Sequence, residues 1–132
     1  MALITPSACS QSESDRRGIK PGDTQIVAQW LTKDLPIGLF AGVSDDRIAK
    51  ACHTLCFVDG NDVGSGTCNI YVYAGDVQST VNLLIALEHK KQLPTKMRIG
   101  VAHYTDAGHK NWTYEAVYPA GSRQFSLMYR SP

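Results

Sequence analysis

The stretch Phe57 to Asp76, FVDGNDVGSGTCNIYVYAGD, carries the densest run of local signals in the chain. Cys68, Ile70 and Val72 alternate with Asn69, Tyr71 and Tyr73, the two-residue period of a strand with one buried face. Asp59-Gly60-Asn61-Asp62 and Gly64-Ser65-Gly66 come first, residues that tolerate positive φ, so Asp59 to Thr67 reads as a polar hairpin-type connection. Asp76 stands where the N-cap of a following helix is expected. The order strand end, loop, strand, helix start decides the architecture more firmly than it decides any activity.

On the C-terminal side, Val77, Val81, Leu84, Ile85 and Leu87 form an apolar stripe that predicts a helix over 77–92. Lys90 and Lys91 suit its C-terminal dipole end, and Pro94 stops it. Met97, Ile99 and Val101 alternate with Arg98 and Gly100 in a strand that ends near Tyr104. After a turn at DAGHKN, WTYEAVYP predicts a strand with Trp112, Tyr114, Ala116 and Tyr118 on one face. QFSLMYR, residues 124–130, reads as one more short strand or an arm.

On the N-terminal side, TQIVAQWLT, residues 24–32, is partly apolar on both faces, as a central strand should be. Lys33 to Val43 holds Pro36, Gly38 and Gly42 and reads as a loop. Ser44 is then the expected cap of a short helix in which Ile48, Ala51, Cys52 and Leu55 share a face. Residues 1–22 are polar and read as a flexible or loosely docked tail, leaving 23–132 as one domain. Strand, helix, strand, strand, helix, strand, with an extra C-terminal strand, makes a ferredoxin-like α+β sandwich the economical fold. It predicts an antiparallel sheet of about four to five strands with both helices on one face. The other face is left for a partner, a ligand or a second copy of the chain.

The 132 residues are 43% hydrophobic, enough for one domain with a core. A net charge of +1 and a pI near 7.7 give no broad basic surface and disfavour non-specific nucleic-acid binding. No apolar run approaches the roughly 20 residues of a membrane span. MALITPSACSQSESD lacks a basic n-region and an apolar h-region, so a secretory leader is not expected. The four cysteines are Cys9, Cys52, Cys56 and Cys68. Cys52 and Cys68 fall on apolar faces, and the spacing from Cys52 to Cys56 is not that of a zinc module. Reduced, metal-free thiols in a cytoplasmic protein are therefore expected.

The run DGNDVGSGTCNIYVYAGD, followed by a helix and by WTYEAVYPAG, resembles a family of small, largely uncharacterised bacterial α+β proteins. Their pattern is Asp-Gly-His-(Asp/Glu)-(Val/Ile)-Gly-x-Gly, then an Ile-(Phe/Tyr)-x-Tyr strand and an Asp-led helix. Asp59, Gly60, Asp62, Val63, Gly64, Gly66, Ile70, Tyr71, Tyr73 and Asp76 match it, while Asn61 stands where the family often has His. The resemblance covers roughly 57–119 and implies the fold. By analogy only, some folds of this kind serve as regulators or immunity proteins that neutralise a nuclease or other toxin.

Asp59, Asn61 and Asp62 open like a calcium loop, but no glutamate closes it. Gly64-Ser65-Gly66 leads into a strand, whereas phosphate loops lead into a helix. His103 is in phase with Ile99 and Val101, with Asp106 and His109 nearby as possible acid–base partners or ligands. No nucleophile motif accompanies them. The expectation is a non-catalytic module that binds a protein through Asp59, Asn61, Asp62, Tyr71, Tyr73, Trp112 and Tyr114, without metal or cofactor. The alternative is a dimeric α+β barrel enzyme or a small-ligand sensor that uses His103, Asp106 and His109, its cavity closed by a homodimer.

Overall fold

The computed structural model describes residues 17–35, 40–122 and 124–127. In chain order it contains β1 (Thr24–Leu31), a 3-10 turn (Thr32–Asp34), α1 (Phe40–Cys52), β2 (Cys56–Gly64) and β3 (Thr67–Ala74). There follow α2 (Val77–His89), β4 (Arg98–Tyr104) and β5 (Trp112–Tyr118). The strands form one five-stranded sheet in the order β2-β3-β1-β4-β5, and every neighbouring pair is antiparallel. This is a ferredoxin-like α+β sandwich with β5 added beside β4.

Alternation along the strands separates the two sheet faces. Ile26, Ala28 and Trp30 of β1, Ile70 and Val72 of β3, and Ile99 of β4 are fully buried on the helix side. There they meet Ile48 and Cys52 of α1 and Val81 and Leu84 of α2. Trp30, the largest of these, also donates its indole N–H to the Pro94 carbonyl at 2.9 Å, so its polar atom is satisfied inside the core.

Both ends of α2 have local causes. Asp76 caps it, accepting from the Ser79 N–H at 3.0 Å and the Ser79 hydroxyl at 2.8 Å. At the other end Lys91 adopts φ +63°. Its N–H reaches the Glu88 carbonyl at 3.0 Å, and the Gln92 N–H reaches that of Leu87 at 2.8 Å. That pair of bonds is a Schellman closure, which ends the helix at His89 rather than at Gln92.

Several local expectations are corrected. The helix α1 starts at Phe40, so Ser44 lies buried inside it instead of capping it. A lone glycine such as Gly42 costs a helix only about 1 kcal/mol relative to alanine, too little to hold this stretch as a loop. Asp59 to Gly64 is not loop but strand: Asp59 is the extra residue of a bulge between Val58 and Gly60, and Gly60 to Gly64 pair residue by residue with β3. The turn is only Ser65-Gly66, at φ +53° and +82°. Polar residues persist in β2 because it is an edge strand, where charge discourages pairing with another chain. A bulge between Ile99 and Gly100 sets Tyr118 opposite Ile99, off the face that carries Trp112, Tyr114 and Ala116. Its hydroxyl donates to Glu88, and this bond, with burial, pushes its pKa up to about 12.

The thiol expectation is overturned for one pair: Cys52 and Cys56 form a disulfide with Cα atoms 5.0 Å apart. The chain leaves α1 at Cys52, turns through His53 at φ +49°, and brings Cys56 back at the start of β2. That separation is inside the normal range for a bridge. Cys68 is free and buried, and burial raises its pKa; Cys9 lies outside the described residues. Of the expected tail, residues 17–22 are described. Arg17 is buried, ion-paired with Asp23, and donates to the Leu55 carbonyl at 3.0 Å.

Candidate functional site

The residues that skip the core line the face opposite the helices. Gln25, Val27 and Gln29 of β1 lie beside Tyr73, Tyr71 and Asn69 of β3, in that order. On the other side Gly100, Ala102 and Tyr104 of β4 pair with Ala116, Tyr114 and Trp112 of β5. The face has two unlike halves.

One half is aromatic and organised by Gln25, itself buried. Its amide donates to the Tyr73 hydroxyl at 2.9 Å, and its carbonyl accepts from the Tyr114 hydroxyl. Its backbone N–H donates to the Tyr104 hydroxyl at 3.0 Å. The β1–β4 ladder stops at Ile26 and Val101, so that phenol takes the place of a strand carbonyl. Tyr71 donates to Asp62 at 2.7 Å. Burial, and then the Asp62 bond, pushes the Tyr71 pKa far up; burial also raises those of Tyr73 and Tyr114. Tyr71, Tyr73 and Tyr114 therefore stay protonated at ordinary pH, each bonded to a partner within the chain.

The other half lies under the C-terminal segment, which is an arm. Arg98 donates to the Gln124 carbonyl at 3.0 Å, and Gln29 to that of Ser126 at 2.7 Å. Thr67 and Asn69 both reach the Leu127 carbonyl, Asn69 at 3.3 Å. Gln29, Thr67 and Asn69 are buried polar residues, and these bonds engage Thr67, Asn69 and the Gln29 amide nitrogen, while the buried Gln29 Oε1 has no partner among the described residues. Phe125 lies on Gly100, where a Cβ would come within 2.5 Å of its ring. Only glycine leaves room for that contact. The Phe125 ring also sits 5.5 Å from that of Tyr114. Residues 128–130 of the expected segment lie outside the described residues.

Beyond the aromatic half, the docked segment 17–23 and the β4–β5 turn enclose a hollow of about 270 Å³. Tyr73, Tyr104, Trp112 and Gln25 line it together with Ile19, Lys20, Asp23 and His109. His109, at φ +56°, stacks flat on Tyr104 with ring centroids 3.9 Å apart. A wider hollow of about 520 Å³ lies between the same segment, Thr54 and the start of α2. Its charges are balanced, Arg17 against Asp23, while the Asp76 carboxylate already caps the helix.

The sequence-predicted binding residues divide between two places. Tyr71, Tyr73, Tyr114 and Trp112 share the open face, and Asp62 joins them through Tyr71. Asp59 is exposed beside the Gly60 bulge. Asn61 points the other way, opposite Ile70, and donates to Asp45 of α1 at 2.6 Å. Burial raises the Asp45 pKa, against the lowering effect of that bond. The alternative catalytic set is spread over separate partners. His103 is exposed and pairs with Glu115 on the helix side of the sheet. Asp106 accepts from the Asn111 N–H at 2.9 Å and the Lys110 N–H at 3.0 Å, bonds that lower its pKa. His109 stacks on Tyr104.

Gln25, Ile19, Tyr104 and Phe125 escaped the sequence reading as site residues. The polar Gln25 and Gln29 two strand periods apart in an otherwise apolar strand were the available signal for a specialised open face. Among the described residues no cluster of His, Cys, Asp and Glu is arranged to hold a metal. None of their helices is long and apolar enough to cross a membrane. Comparison of the chain with family models, with curated proteins and with solved structures gives no match.

Proposed function

We propose that the chain is a non-catalytic module that binds a basic protein, in the manner of an inhibitor or immunity protein against a nuclease or other toxin. The observation that carries this reading is the aromatic half of the open face, exposed at Trp112, with its phenols already bonded inside the chain. Rigid aromatic side chains give contact area at small entropic cost. Beside them the β2 edge presents Asp59 and Asp62, both exposed. Proteins that bind nucleic acid carry the opposite charge to steer them onto phosphates, and an acidic rim suits them. What favours binding over catalysis is that His103, Asp106 and His109 each serve a different local contact. The Cys52–Cys56 bridge favours an oxidising compartment over the cytoplasm expected from the sequence. A second copy on the same face is the homodimeric form of this reading, and sedimentation at rising concentration distinguishes it.

The test is isolation of the partner with the chain, followed by kinetics on purified components. Asp59→Ala with Asp62→Ala should slow association about tenfold at low salt and flatten its salt dependence. Tyr73→Ala should chiefly speed dissociation. Turnover of a small molecule that His103→Ala abolishes would overturn the proposal.

A further inference from the structure

The C-terminal arm, 124–127, occupies its half of the open face in the way an extended peptide ligand would. Arg98, Gln29, Thr67 and Asn69 each donate a side-chain hydrogen bond to a main-chain carbonyl of Gln124, Ser126 or Leu127. Every polypeptide carries such carbonyls, so these bonds recognise extended backbone and not the arm's own sequence. One side chain is read as well. The Phe125 ring lies on Gly100, tilts against Tyr114 at 5.5 Å, and has the Arg98 guanidinium 5.8 Å from its centre.

The arm leaves part of this groove unanswered. The Gln29 amide nitrogen bonds Ser126, so the amide lies beneath the arm, and Gln29 has no exposed surface. Its Oε1 is buried there without a partner among the described residues. A buried acceptor left unbonded has lost its hydration with nothing in exchange, which weakens the arm as an occupant. Gln124 and Ser126 remain exposed, so the arm lies on the sheet rather than inside the fold.

From these observations we infer that the arm is an internal stand-in for a partner's segment, and that the partner displaces it with an extended stretch bearing one aromatic side chain. The incoming ring takes the place of Phe125 over Gly100, and a main-chain N–H beside it supplies the donor that Gln29 Oε1 lacks. The inference rests on the protein-binding reading above and names the kind of segment that such a partner presents.

The tether holds the arm at an effective concentration of about millimolar, so a short peptide competes with it poorly. The test therefore uses the full chain carrying Phe125→Ala, which takes the ring out of the groove. Titration of this isotope-labelled variant with N-acetyl-Gln-Phe-Ser-Leu-amide, the sequence of 124–127, should give saturable shifts. They should centre on Gly100, Arg98 and the side-chain amides of Gln29 and Asn69. The unsubstituted chain should bind the same peptide at least about tenfold more weakly, because its own arm competes. A peptide with Ala in place of Phe should bind the variant at least about tenfold more weakly. Adding Gly100→Ala should weaken the Phe peptide about tenfold or more, because the new methyl occupies the seat of the ring. The resonance of the buried Trp30 indole reports that each variant is folded. A folded Phe125→Ala chain that shows no saturable binding would overturn the inference. Equal binding of the two peptides, or shifts centred on the aromatic half, would do the same. Phe125→Ala should also tighten the partner severalfold, since it weakens the competing arm. A partner that depends on Asp59 and Asp62 but binds this variant no tighter removes the displacement and leaves the proposed function standing. Peptide binding as expected, with no partner sensitive to those acids, leaves the groove and removes that function.

Discussion

The two faces of the sheet are built from the same strands, yet different physics holds each. On the covered face Ile26, Ala28, Trp30, Ile70, Val72 and Ile99 lie against the helices with essentially no exposure. Burial of apolar area holds them, which is non-directional and needs only the right pattern. On the open face Gln25, Gln29, Thr67 and Asn69 are nearly as buried, but by two chain segments folding back over them. Each of these polar groups needs a partner of the right kind at the right distance. The contrast teaches that one sheet can be a core on one side and a set of addressed contacts on the other.

The largest effect should therefore come from the covered face. Leu84 of α2 is fully buried in the core. Leu84→Ala should destabilise the fold by about 2–5 kcal/mol, measured by denaturant unfolding. A cost below about 1 kcal/mol would break the comparison from that side, because the helices would then not be what holds the sheet. An intermediate effect is expected from Gly100 on the open face. Gly100→Ala places a methyl within 2.5 Å of the Phe125 ring, so the arm must lift. The expected cost is about 1–3 kcal/mol, as in overpacked sites. It should be accompanied by faster proteolysis of the arm and unchanged protection of β1 and α2. Uniform loss of protection would mean that the arm belongs to the core rather than lying on it.

This division explains what was legible in the sequence. The strands β1, β3, β4 and β5 and the helix α2 follow from apolar periods of two and 3.6 residues, and from caps such as Asp76. The site aromatics Tyr71, Tyr73, Tyr114 and Trp112 were legible because alternation assigns a face. Tyr118 was not, since a bulge in the β4–β5 pairing shifts its register. β2 beyond Val58 was read as loop because an edge strand carries no burial signal. The disulfide depends on a reversal of the chain between Cys52 and Cys56, which spacing alone does not reveal. The roles of Arg17, Gln25 and Phe125 are contacts between residues far apart in sequence, and no local period encodes them.

The smallest global effect, and the sharpest separation of the faces, should come from acid. The covered face holds no carboxylate apart from Glu88 among its buried residues, which Tyr118 and the Met97 N–H bind. The segment 17–23, which closes the aromatic half of the open face, is held by the buried Arg17–Asp23 pair. Burial alone would raise the Asp23 pKa, but the bonds from Arg17 and the Lys20 N–H outweigh it and bring the pKa below the ordinary 3.8. A carboxylate whose pKa is depressed on folding contributes stability that is complete above its unfolded value. That contribution is lost as pH falls through the folded value. The pair should therefore hold the segment fully at every pH above about 4 and release it only as pH falls through the depressed folded value. Hydrogen exchange or a spin label at Ile19 should report the segment loosening in acid before the resonances of Trp30 and Leu84 change. Asp23→Asn should give the loosened state at neutral pH and abolish its acid dependence. If the segment and the core respond together at one midpoint, the two faces form a single cooperative unit. If Asp23→Asn leaves the segment docked, the ion pair is not what seats it, and apolar contacts of Ile19 and Pro21 hold it instead.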